Sequence, residues 1–291
     1  MNLLGWLLVF LLAAFSGIRC QAHERASLFI VELGIELKLI AHAGIYMQTT
    51  EVTNAQYLTY LLATGQFRSD EKLVDFRKNN NSKPPASERM ILLNNPELRW
   101  IDGKFPEGFA KHPVVLVTQE DATGFCKWLT NLENTRADYR LPTIKEWRAA
   151  TYGPDEIRRN SPWGNENDPA RFRHSGSLAL LTARPVRLIE KFTIPVASLP
   201  AGATPDGIFD LWGNVGELVL ASPKFPPDRL EHPMSTMIVG GSYADDLNSG
   251  QFTVDGGAEV EHGRFAADDV GFRIVCPVSR PELELQKGTD K

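Results

Sequence analysis

From Gly153 onward, short apolar pieces such as Ile194 to Leu199, Met237 to Val239 and Phe272 to Val275 are interrupted again and again by Gly, Pro, Asn and Asp. Glycine and proline break regular periodicity, and Asn and Asp offer the backbone local hydrogen bonds that compete with helix and sheet. This stretch therefore has to fold as long loops held by short strands. With hydrophobic residues at 43% of a 291-residue chain, one large core can still be buried, so a single irregular α+β domain is the economical expectation.

The other half is more regular. Ser27 to Ile45 is rich in Val, Ile and Leu with partial alternation and predicts one or two strands. Three capping pairs then mark three helix starts: Thr53 with Gln56, Thr118 with Asp121, and Thr143 with Glu146. Behind the first, Tyr57, Tyr60 and Leu61 share a face until Gly65. Behind the second, Ala122, Phe125, Cys126 and Leu129 fall at helical spacing. Between these helices, residues 66–111 predict an irregular surface excursion, and Val114 to Val117 a short strand.

The apolar run Met1 to Ile18 is too short for a confident membrane span and predicts a signal peptide within residues 1–22, cleaved after Ser16 or Ala22. Export to the periplasm or secretion follows, with no membrane span after cleavage. The domain then occupies residues 27–279, and residues 280–291 form a charged tail. A net charge of −5 carries no basic footprint, which argues against nucleic acid as a partner. If Cys20 leaves with the signal, Cys126 and Cys276 remain, either as one disulfide or as two buried thiols.

Seven blocks occur in order: TEVTNAQY (Thr50 to Tyr57), HPVVLVTQEDATGFCKWL (His112 to Leu129), YRLPTIKEWRAAT (Tyr139 to Thr151), PWGN (Pro162 to Asn165), DLWGNVGEL (Asp210 to Leu218), GGSY (Gly240 to Tyr243) and VGFRIV (Val270 to Val275). The ordered set resembles the formylglycine-generating enzyme, or sulfatase-modifying factor, family. That resemblance implies a C-type-lectin-like α+β fold with little regular structure. It also implies that Cys126 pairs with Cys276, since the family joins a cysteine of the second helix to one after the GFR motif. Cys276 lies two residues beyond that partner, on the same side of a strand.

The family binds copper through two cysteines that follow its Gly-Gly-Ser motif and oxidises a substrate cysteine to formylglycine; soft sulfur ligands suit Cu(I). Here those positions fall on Asp245 and Gly250, so copper and formylglycine-generating activity are not expected. Acid takes their place: Asp245, Asp246, Asp255, Glu259, Glu261, Asp268 and Asp269 crowd the stretch, against Arg264 and His262. Ser242 and Asp245 are the catalytic candidates if chemistry survives, and Tyr243, Asp246 and Arg264 would line a ligand groove. A cationic ligand or a hard metal suits such a loop.

In DLWGNVGEL, the carboxylates of Asp210 and Glu217 and the carbonyls of Gly213 and Val215 are hard oxygen donors within one tight loop, the set that suits structural calcium and matches the family's positions. The family's usual Met-Gly-Ser segment before the EVT block is missing, because IAHAGIYM (Ile40 to Met47) runs almost directly into TTEVT. Loss of that groove wall adds to the expectation of a changed ligand. Two functions follow: an exported accessory protein that binds a peptide, a protein partner or a small cationic ligand, or a periplasmic oxidoreductase or maturation enzyme that uses acids such as Asp245 instead of thiols.

Overall fold

The computed structural model describes residues 27–78, 89–132, 137–154, 161–163, 168–175, 191–221, 236–245, 259–260 and 264–278. The expected signal segment, Asp246, Gly250 and the charged tail lie outside the described residues. The chain runs β1 (Ser27–Ile30), β2 (Ile35–Ile40), β3 (Ile45–Gln48), α1 (Asn54–Ala63), β4 (Met90–Leu92), α2 (Gln119–Leu132) and α3 (Ile144–Tyr152). It continues with β5 (Gly216–Leu220), β6 (Thr236–Val239), β7 (Glu259–Val260), β8 (Phe265–Ala267), β9 (Val270–Gly271) and β10 (Val275–Pro277).

All three helices begin where the capping pairs place them. The Thr53 and Thr143 hydroxyls accept the Gln56 and Glu146 amides, and both partner side chains reach back to the cap amide. Asp121 and Thr118 exchange the equivalent pair of bonds at 2.9 and 3.1 Å ahead of α2. Glu146 is further held by Arg140 at 2.6 Å. Replacing Thr143 with alanine is expected to lower stability by about 1 kcal/mol, read as a shift in urea midpoint at constant slope; an unchanged midpoint would mean that Arg140 and Glu146 fix the helix start without the hydroxyl.

Ser27 to Ile45 holds two strands, within the one or two expected, and a third, β3, begins at Ile45. Two three-residue turns, 31–33 and 41–43, each end on a glycine in the left-handed region, Gly34 at φ +59° and Gly44 at φ +66°, a conformation that costs glycine little. The meander is completed by β10, giving an antiparallel sheet of order β1-β2-β3-β10 that ties the C-terminal end of the domain to its start. A second sheet has the order β7-β6-β5-β9, and β4 pairs with β8 in parallel.

Val114 to Val117 is buried and irregular rather than a strand. Its backbone amides bond the Val52 carbonyl, in the segment between β3 and α1, and the Ala267 carbonyl of β8, and Leu116 adopts φ +57°. The largest apolar cluster sits between the meander and the first two helices, where Tyr57, Tyr60, Phe125 and Phe272 meet edge-on or stacked with centroids 5.3 to 6.4 Å apart. A smaller cluster around Trp147, Leu211, Trp212 and Val219 packs α3 against β5.

Candidate functional site

The Gly-Gly-Ser loop is built by close approach. Gly240 sits at φ +90°, and a side chain there would meet the Leu211 carbonyl at 2.7 Å and Trp147 at 3.3 Å. The next residues fold back on themselves. The Ser242 amide donates to Asp245 Oδ2 at 2.7 Å, Ser242 Oγ accepts from the Ala244 amide at 3.1 Å, and the Ser175 amide donates to the Asp245 carbonyl at 3.1 Å. Asp245, at the first thiol position implied by the resemblance, is thus a brace for the turn.

Ser242 Oγ also donates to Asp269 Oδ2 at 2.9 Å. Burial, together with the neighbouring Asp268 and Asp245 carboxylates, pushes the Asp269 carboxyl up to about 6 in spite of that hydrogen bond. Asp268 is fully buried, its carboxylate accepting from the Asn95 amide. Asn95 Nδ2 donates to the Tyr243 hydroxyl at 2.8 Å. Behind Tyr243 stands Arg173, 1% exposed, with its guanidinium over the ring at 5.9 Å and bonded to the carbonyls of Phe192, His174 and Lys191.

The structure places Ser242, Tyr243 and Asp245 in one turn and sets Asp268, Asp269, Asn95 and Arg173 around it. Asp268 and Asp269 stood in the acidic crowd of the sequence. Asn95 and Arg173 carried no sequence signal. Arg264 was expected in the groove, but its described ion pair runs to Glu120 of α2 at 3.3 Å, with both side chains on the surface.

The loop before β5 does not fit the expected calcium. Glu217 is fully buried and both its oxygens are taken: Arg273 Nε at 2.7 Å and Trp147 Nε1 at 3.2 Å on one, Arg273 Nη2 at 2.5 Å on the other. Asp210 Oδ2 accepts the Ala197 amide at 2.7 Å. Arg273 also donates to the Gln48 and Phe209 carbonyls, so a guanidinium already provides the positive charge of this region. A third acid, Glu51, is fully buried, with no hydrogen-bond partner on either oxygen. Burial and then Asp210 hold its carboxyl well above the usual range, and Asp210 is raised too, first by burial. Among the described residues, no group of three or more His, Cys, Asp or Glu side chains is arranged to hold a metal ion.

Nor does the structure join Cys126 to Cys276 in the expected disulfide: both are buried, 2% and 4% exposed in the same apolar cluster. Burial pushes the Cys126 thiol up to about 12, so it packs as a small apolar group.

Residues 37–278 match the family described as "Sulfatase-modifying factor enzyme 1-like domain". Among known proteins, the chain is 28% identical over 176 residues to a serine/threonine-protein kinase, pkn1, of Chlamydia caviae, which covers 60% of this chain and 22% of that protein. It is 33% identical over 140 residues to the formylglycine-generating enzyme of Thermomonospora curvata, covering 42% and 41%. The chain thus spans less than half the length of these relatives. Among solved structures, CarF superposes with a TM-score of 0.51 at 20% identity, covering 81% of this chain and 87% of that one. PvdO from Pseudomonas aeruginosa does so with 0.53 at 18% identity and 80% of each. These likenesses support the fold alone. The family match covers most of the chain and every block from the EVT segment to the GFR motif: this protein belongs to the sulfatase-modifying factor enzyme 1-like family.

Proposed function

We propose that this is an exported accessory protein of the family that does not generate formylglycine and instead binds a partner segment carrying a basic side chain where Ser242 meets Asp269. The observation that carries the reading is the use made of Asp245. Where the family resemblance implies a thiol, this carboxylate is spent on the Ser242 amide inside the turn, which leaves Asp269, a half-buried residue whose carboxylate accepts the Ser242 hydroxyl, as the acid a cation would meet. Residues 1–22 serve as the export signal in this reading.

Binding should follow the ionisation of Asp269. A carboxyl raised to about 6 is neutral in mild acid and charged above neutrality, so affinity for a cation rises with pH through that value. Titrating the full chain with acetyl-lysinamide and then with lysine-containing peptides, by calorimetry between pH 5 and 8, should show this rise, and Asp269→Asn should flatten it. Equal binding at both ends of the range in the wild type would overturn the assignment of the cation to this loop.

A second reading rests on the bond from Ser242 Oγ to Asp269 at 2.9 Å. A carboxylate near neutrality beside a hydroxyl is suited to proton transfer, which would make the protein a maturation enzyme working through acids. Loss of turnover in Asp269→Asn with binding retained would separate that reading from the first.

A further inference from the structure

The run from Lys191 to Ala197 is rich in apolar and β-branched residues, yet it joins none of the three sheets. Its main chain is held by side chains of other segments instead. Arg173 donates through Nη2 to the Lys191 carbonyl at 2.8 Å and through Nε to the Phe192 carbonyl at 2.9 Å. Asn214 clamps Ile194 with both ends of its amide, accepting from the Ile194 N–H at 2.9 Å and donating to the Ile194 carbonyl at 3.3 Å. Asp210 accepts the Ala197 amide at 2.7 Å. Among the described residues, the bond from the Val196 amide to the Lys111 carbonyl at 3.0 Å is the one backbone bond that leaves the run.

From this set of contacts, we infer that Arg173, Asn214, His112 and Asp210 form a peptide-binding groove, which the chain's own residues 191–197 fill as an internal ligand and which an extended partner segment carrying an aromatic residue takes over by displacing them. The inference does not rest on the function proposed above, since none of these contacts involves Ser242 or Asp269.

Two side chains anchor the internal ligand and set what a partner must supply. Phe192, 7% exposed, sits in the apolar cluster of Phe109, Leu116, Val215 and Tyr243, with its ring edge-on to Tyr243 at 6.1 Å. Thr193, 1% exposed, shares a hydrogen bond with His112 Nδ1 at 2.8 Å. Burial lowers the His112 imidazole to about 4, so at neutral pH the groove presents an uncharged ring to a hydroxyl. Lys191 and Pro195 are exposed, and Ile194, Val196 and Ala197 are half-buried. The fitting segment is therefore an aromatic residue followed by Ser or Thr within an extended run.

Two features make the internal ligand replaceable. A groove that grips main-chain carbonyls and amides accepts any extended segment of matching register, with side-chain pockets giving the selectivity. The resident segment is also strained: Ala197 stands at φ +57°, a left-handed conformation costly for a residue with a Cβ and found where switch or clamp regions impose it. A separate peptide with glycine at that position carries no such strain. Release also returns backbone freedom to residues 191–197 and leaves Arg173 facing water or the incoming carbonyls rather than an empty interior.

The probe is the peptide KFTIPVG, with the sequence of residues 191–196 and glycine at the strained position, carrying fluorescein at its amino end and an amide at the other. It is titrated into the full chain and read by anisotropy. The tethered segment competes at an effective concentration of about millimolar, so the wild type should bind the probe weakly. Phe192→Ala removes the internal anchor and leaves the groove in place, and should bind the probe about tenfold or more tighter than the wild type. Thr193→Val, which loses the bond to His112, should shift affinity in the same direction. The peptide KATIPVG, without the aromatic ring, should show no saturable binding to either variant. A melting curve accompanies each titration, and if Phe192→Ala does not fold, Thr193→Val decides. Equal affinity in wild type and folded variants, no saturable binding to the variants, or a KATIPVG peptide that binds as well as KFTIPVG would each overturn the proposal.

Discussion

Replacing Arg273 with methionine is expected to destabilise the protein by about 3–5 kcal/mol. The side chain is fully buried and faces three carboxyl groups: Glu217 through two hydrogen bonds, with Glu51 and Asp210 close enough for the guanidinium to lower both. Methionine keeps the unbranched aliphatic stem, so the loss reports chiefly the missing guanidinium charge and its hydrogen bonds.

The pH dependence gives the sign. Without Arg273, the Glu51 and Asp210 carboxyls rise further above their unfolded values. A group raised in the folded state contributes stability that is complete below its unfolded pKa and is lost as pH rises through the folded one. The gap between wild type and variant should therefore be small near pH 4 and widen towards pH 7, read as urea midpoints across that range. Glu217→Gln in the same background keeps an acceptor for Trp147 and removes the stranded charge, so the double variant should recover part of the loss. A loss below about 1 kcal/mol for Arg273→Met at pH 7 would place this pair with exposed ion pairs and refute the buried-charge account.

That cluster also shows where sequence reasoning stopped. The helix starts were legible because a capping pair is local: Thr143 and Glu146 meet wherever the chain turns into a helix. The three-stranded meander left a weaker local trace, the repeated glycine before an isoleucine at Gly34-Ile35 and Gly44-Ile45. Val114 to Val117 looked like a strand because it is apolar, and it is buried, but its hydrogen bonds go to two distant elements and Leu116 breaks the extended run. The block around Asp210 and Glu217 looked like a calcium loop because oxygen donors at close spacing are all the sequence displays there. The charge that satisfies Glu217 comes from Arg273, 56 residues on, and only folding brings it in. Arg173 and Asn95 were hidden for the same reason, since each acts through partners far along the chain.

Incubated with copper(I), oxygen and a peptide carrying the sulfatase cysteine motif, the protein is expected to leave the peptide cysteine unchanged, against complete conversion by an active formylglycine-generating enzyme run in parallel. Two sulfur ligands have to meet at the loop after Gly240-Gly241-Ser242 for the family's reaction. Asp245 stands at the first position, and its carboxylate is a hard donor already accepting the Ser242 amide, a poor match for a soft monovalent ion. Cys126 and Cys276 lie in the apolar cluster, 2% and 4% exposed, and burial keeps the Cys126 thiol protonated far above neutral pH. Among the described residues, no thiolate is therefore available at the loop. Asp245→Cys alone should also fail, because one sulfur does not complete the pair and the turn loses the acceptor that holds Ser242. Mass analysis of the peptide reads the outcome directly. Conversion by the wild type above a protein-free control would show that the family's oxidation proceeds here without its thiols, and the accessory reading would fall with it.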